Sequence, residues 1–85
     1  MPKPQYKVYA ITKQDIRRAV EEWRRPISRT KLQDQLLIVA KENGCQYIHW
    51  GVLTSLVEEM AADGELEKIK ERGGYFRYAL QWMVE

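Results

Sequence analysis

Lys68, Lys70, Arg72 and Arg77 flank a Gly73-Gly74 pair, with Tyr75 and Phe76 between the glycines and the last of these cations. Cations at alternate strand positions project from one face, and a row of them beside an aromatic ring suits a phosphate backbone. A Gly-Gly pair supplies the positive φ values of a type I′ turn and predicts a hairpin with these two residues as its loop. In that register Arg72 faces Tyr75, Glu71 faces Phe76, Lys70 faces Arg77 and Ile69 faces Tyr78. Ile69, Phe76, Tyr78 and Leu80 then share the inner face, and Lys68, Lys70, Arg72, Tyr75 and Arg77 the outer one. Like charges directly opposite on a strand pair are destabilising, so Lys70 against Arg77 is best accounted for by a polyanion laid across them. A solvated edge whose lysines block strand pairing is the competing account.

Catalytic chemistry has weaker support. Cys45 and His49 are spaced one helical turn apart, but no acid is placed to orient the histidine, and Cys45 falls in a turn. Two such ligands fall short of a zinc site. His49 reads as a packed or capping residue. The Asp and Glu residues sit on solvent faces with nothing to desolvate them. Gly73-Gly74 lacks the glycine spacing and the Lys-Ser/Thr of a phosphate loop. The expectation is a protein that is not an enzyme and uses no metal or cofactor.

At 85 residues the chain is expected to form one domain with a modest core and little room for a deep cleft. A hydrophobic content of 45% and an aromatic content of 11% argue against a disordered chain. No apolar run reaches the roughly 20 residues of a membrane span, and Met1-Pro2-Lys3-Pro4 leads into no signal-peptide core. These features predict a protein without membrane partners, located in the cytoplasm, or in the nucleoid or a eukaryotic nucleus. Cys45, the single cysteine, leaves no intrachain disulfide and fits a reducing compartment. The net charge is +2 but unevenly spread: Met1–Lys31 carries nine Lys or Arg against three Asp or Glu, and Leu32–Glu85 five against nine. Such asymmetry predicts an oriented electrostatic surface.

The elements that position these residues follow from periodicity and capping. Residues 1–11 read as an N-terminal arm, extended over Tyr6–Ile11. Thr12 is the expected N-cap of a first helix, with Asp15 as its capping-box acid and Ile11 and Ile16 as the hydrophobic staple. That helix should run from Lys13 to Arg25, bury Ile16, Ala19, Val20 and Trp23, and end before Pro26. Ile27 can form a very short strand. Thr30-Lys31-Leu32-Gln33 fits a capping box for a second helix, whose stripe of Leu32, Leu36, Val39 and Ala40 is widened by Leu37 and Ile38 and stopped by Asn43-Gly44. A third helix over Ile48–Ala62 places Ile48, Val52, Leu53, Leu56, Val57 and Met60 in one arc. Residues 12–80 thus read as helix, short strand, helix, turn, helix and hairpin, followed by an apolar tail over 81–85.

This order resembles the winged helix-turn-helix superfamily. The resemblance rests on the tight turn after Asn43-Gly44, the helix exit from Leu56 to Leu66, and the strand Tyr75-Phe76-Arg77-Tyr78-Ala79-Leu80. It implies an α+β fold of three helices with a C-terminal two-stranded β-hairpin wing, and a double-stranded DNA-binding protein, a small transcriptional regulator or DNA-associated accessory factor. The third helix would enter the major groove through Tyr47, Trp50, Gly51, Thr54 and Ser55, while Arg29, Lys31, Lys68, Lys70, Arg72 and Arg77 would hold the backbone. Gly51 and Ser55 would allow close approach, Thr54 and Ser55 would bond phosphates or bases, and Tyr47 or Trp50 would pack on sugar or a thymine methyl. The chain departs from the pattern between Gln46 and Gly64, where no Lys or Arg occurs and the bidentate arginine-to-guanine contact is missing. A second reading therefore stands beside the first: a winged-helix module that docks a protein through the exposed face of the third helix, including Glu58. In the tail, Trp82, Met83 and Val84 either cover the chain's own core beside Trp23 or bury against a second copy in a homodimer that reads paired half-sites. A strand-like tail would turn Trp82 inward; a helical one would present it on a surface of its own.

Overall fold

The computed structural model describes residues 7–83; residues 1–6 of the arm and Val84 of the tail lie outside them. The elements are α1 (Lys13–Trp23), β1 (Ile27–Ser28), α2 (Arg29–Glu42), α3 (Trp50–Ala62), β2 (Glu67–Lys70) and β3 (Phe76–Ala79), closed by a 3-10 turn at Gln81–Met83. The fold is α+β: three helices and one antiparallel sheet ordered β1-β3-β2. The expected hairpin is there, but Ile27 and Ser28 pair with Tyr78 and Arg77, so the sheet has three strands rather than two.

Capping chemistry places the helices. Thr12 Oγ1 accepts from the Asp15 amide at 3.2 Å, and Asp15 Oδ2 accepts from the Thr12 amide at 3.0 Å, closing the expected capping box of α1. The same carboxylate accepts from the Tyr9 hydroxyl at 3.1 Å and so ties the arm to the helix. Helix α1 stops at Trp23, short of the expected Arg25, because Arg24 takes a left-handed φ of 63° as its C-cap and the chain is already turning toward Pro26. Helix α2 starts earlier than expected. Ser28, still extended as the end of β1, is its N-cap and accepts from the Lys31 amide at 3.3 Å, leaving Thr30 inside the first turn. Helix α3 starts later, at Trp50, because His49 caps it: Nδ1 accepts from the Val52 amide at 3.4 Å.

The core joins Ile16 and Val20 of α1, Leu32 and Leu36 of α2, Leu53, Val57 and Met60 of α3, and Ile27, Leu66 and Tyr78 of the sheet region. Two residues assigned to this interior are outside it: Ile38 is 53% and Val52 44% exposed. The helices need cover only one stripe each, and Leu53, Val57 and Met60 already fill the inward arc of α3.

The hairpin register also differs by one residue. Glu67, Lys68, Ile69 and Lys70 pair with Ala79, Tyr78, Arg77 and Phe76. The Glu71 amide donates to the Tyr75 carbonyl at 2.7 Å, which makes Arg72-Gly73-Gly74 the loop, with φ of 86° at Gly73 and 81° at Gly74. Because side chains alternate with period two, a slip of one residue moves one strand's side chains to the other face relative to its partner. Lys68 and Lys70 therefore share a face with Phe76 and Tyr78, whereas Arg77 lies opposite Ile69. The Lys70–Arg77 pair does not form, and the argument for a polyanion drawn from it falls.

Outside the sheet, the arm pairs with the loop before α3: the Tyr9 amide donates to the Tyr47 carbonyl at 2.8 Å and the Gln46 amide to the Lys7 carbonyl at 3.0 Å. The tail turns as a 3-10 helix, so Met83 packs on the core and Trp82 is 56% exposed, the reverse of a strand-like tail. The charge asymmetry of the chain is partly answered within the fold, where Lys13 meets Glu59 at 2.6 Å and Arg17 meets Glu65 at 3.9 Å. Among the described residues no helix is long and apolar enough to cross a membrane. The capping assignment is testable by urea or thermal melts. Ser28→Ala should cost about 1 kcal/mol and Thr30→Ala only a few tenths; equal losses would mean that the N-cap is misplaced.

Candidate nucleic-acid interface

The middle strand sets the geometry. Tyr78 is wholly buried, and its hydroxyl donates to Glu58 Oε1 at 2.7 Å. Lys68 Nζ donates to Glu58 Oε2 at 3.0 Å and stands 4.4 Å from the centroid of the Phe76 ring. The hydrogen bond from Tyr78, followed by that from Lys68, holds the Glu58 carboxyl below the usual carboxylate range. Burial, and then the Glu58 carboxylate, push the Tyr78 phenol up to about 12. Glu58 is thus not the free acid on a solvent face that the sequence suggested, and Lys68 is not a free cation.

One turn earlier on the same side of α3 is Thr54, whose Oγ1 is buried with no hydrogen-bond partner. Thr54 therefore lies on the sheet side of the helix and is removed from the expected exposed face. That face consists of Gly51, Val52, Ser55 and Glu59. A Cβ at Gly51 would come 3.0 Å from Cε1 and 3.2 Å from Nδ1 of His49, so glycine here makes room for the histidine cap.

Beside this network, the start of α2, the first turn of α3 and the hairpin tip enclose a shallow groove. Its walls include Arg29, Trp50, Arg72, Tyr75, Phe76 and Arg77. The Arg29 guanidinium stands 5.9 Å from the centroid of the Trp50 ring, and Arg77 Nε lies 3.6 Å from Glu71 Oε1. Tyr75 is 75% exposed. Its ring is close to Gly73, where a Cβ would come within 3.3 Å of it. Three arginines thus meet a single acid, Glu71, in one groove. Two grooves beside Trp82 differ: one sets Arg18 and Arg24 against Glu21 and Glu22, the other Arg17 against Glu21, Asp63 and Glu65. Excess guanidinium charge beside aromatic rings is suited to an anion that also carries flat groups.

Of the expected site residues, Arg29, Trp50, Arg72 and Arg77 converge on this groove. Lys31, Lys70 and Ser55 are exposed but stand outside its walls, and Tyr47 is held by the arm through its backbone and is 54% exposed. Phe76, expected on the inner face, packs half-buried against the core and also lines the groove. The three-residue loop decides instead which β2 residues meet β3, and so brings Lys68 beside Phe76. Cys45 Sγ lies 3.7 Å from the Asn43 carbonyl, apart from the capping role of His49. Among the described residues no group of three or more His, Cys, Asp or Glu could hold a metal ion. No protein-family model matches the chain, and no curated protein matches it.

The Tyr78–Glu58 pair gives a pH signature. A depressed carboxyl pKa stabilises the fold above the unfolded value, and that contribution is lost as pH falls through the folded one. A raised phenol pKa stabilises below the unfolded value of 10.0 and is lost as pH rises toward about 12. Tyr78→Phe should cost about 2 kcal/mol at neutral pH, lower the melting temperature by roughly 10 °C, and lose most of that difference in acid. Tyrosinate absorbance should show one phenol titrating near 12 in the parent and none in the variant. A phenol of ordinary pKa at this position would contradict the buried hydrogen bond.

Proposed function

We propose that this chain is a winged-helix domain that binds double-stranded DNA, a small transcriptional regulator or DNA-associated accessory factor without catalytic activity. The observation that carries the reading is the convergence of Arg29, Arg72 and Arg77, from segments far apart in the sequence, on one groove with a single opposing acid. Charge gathered by folding and only partly neutralised, one acid against three guanidinium groups, suits a polyphosphate backbone. Exposed Lys31 and Lys70 extend this cationic surface. Helix α3 offers Gly51 and Ser55 but no cation, so the binding is dominated by the backbone and discriminates weakly between sequences.

A protein-docking role has its own support in the exposed Val8, Tyr47, Trp50 and Val52 around the start of α3. A homodimer through the tail would rest on Trp82, because Met83 is engaged by the chain's own core.

Duplex affinity measured against salt separates the two readings. A phosphate-gripping groove should give a steep log-log slope, shallower by about one for each of Arg29→Ala, Arg72→Ala and Arg77→Ala. Lys68→Ala should leave the slope unchanged, because that ammonium is committed to Glu58. Binding that ignores salt, or no duplex binding at all, would reject the DNA reading and leave the protein-docking one.

A further inference from the structure

We infer that the groove accepts an unpaired base, so that the protein favours duplex DNA with a single-stranded tail or fork over continuous duplex; this rests on the DNA-binding reading above. Gripping phosphates needs only Arg29, Arg72 and Arg77. The rings of Trp50, Tyr75 and Phe76 in the same groove ask for a second partner. In continuous duplex the flat faces of the bases are covered by their stacked neighbours, and a protein ring can reach only base edges and sugars. An unpaired base exposes both faces, and stacking on an aromatic side chain is indifferent to its identity.

The three rings are not equivalent. Arg29 stands over Trp50 at 5.9 Å and Lys68 over Phe76 at 4.4 Å, so each of those rings already has a cation on it. Tyr75 is the most exposed large hydrophobic residue described, at 75%. Its ring lies beside Gly73, at a φ of 86°, where the missing side chain leaves it room. The neighbouring Arg72 lines the same groove and would supply charge for the phosphate of the same nucleotide.

The test compares three labelled oligonucleotides by fluorescence anisotropy: a blunt duplex, the same duplex with an unpaired tail, and the tail strand alone. The proteins are the parent chain, Tyr75→Ala and Tyr75→Phe. The parent should bind the tailed duplex roughly tenfold or more tighter than the blunt one. Tyr75→Ala should abolish that preference, so that tailed and blunt duplex bind equally, and Tyr75→Phe should keep it, since a phenyl ring also stacks. Equal, salt-dependent binding of blunt and tailed duplex by the parent would overturn this inference and leave the duplex reading standing. A preference for the tail that survives Tyr75→Ala would overturn the assignment to this groove. Absence of salt-dependent binding to all three would overturn both readings.

Discussion

A phenolic hydroxyl taken out of water must find an acceptor, and Tyr78 finds one in Glu58 at 2.7 Å. Tyr78 sits on the middle strand, its backbone paired to Ile27 on one side and Lys68 on the other, so one residue ties both outer strands and, through its hydroxyl, α3 together. The rotation of α3 about its axis follows from this bond. With Glu58 turned to the sheet, Thr54 must turn the same way, and the exposed stripe becomes Gly51, Val52, Ser55 and Glu59. A buried phenol without its acceptor would cost about as much as a well-packed apolar residue contributes, so the geometry is strongly determined.

The same network sorts the cations into structural and available ones. Lys68 closes the second oxygen of Glu58 and covers Phe76. Lys13 and Arg17 answer acids at the end of α3 and in the approach to β2. What remains beside the hairpin is Arg29, Arg72 and Arg77, the last meeting Glu71 in a solvent-exposed pair that is weak in water. Pairing of Lys13, Arg17 and Lys68 with acids thus leaves Arg29 and Arg72 as guanidinium groups beside the hairpin without a salt-bridge partner among the described residues. Arg29 brings a cation beside α3, which has none of its own from Gln46 to Gly64, because the start of α2 places its guanidinium over Trp50 of the neighbouring helix.

Local chemistry was legible wherever one contiguous segment decides the outcome. The Thr12–Asp15 capping box, the stop at Asn43-Gly44, the buried stripes of the three helices apart from Ile38 and Val52, and the existence of a hairpin at Gly73-Gly74 depend on neighbours a few residues away, and they stand as read. The cap of α2 was misplaced at Thr30 because two hydroxyl residues compete there, and β1, whose pairing lies across the sheet, selects Ser28.

Composition, periodicity and capping therefore determined an α+β chain of three amphipathic helices and a cationic, aromatic hairpin. The tertiary structure alone decided the register of that hairpin, the third strand, the rotation of α3 and the membership of the groove. Each of these depends on groups remote in sequence, Tyr78 with Glu58, Ile27 with Tyr78 and Arg29 with Trp50, whose meeting no local pattern encodes. A glycine pair is compatible with either a two-residue or a three-residue loop, and packing of the strand side chains on the core decides between them. That choice placed Lys68 with Tyr78 and Phe76 and set Arg77 on the opposite face.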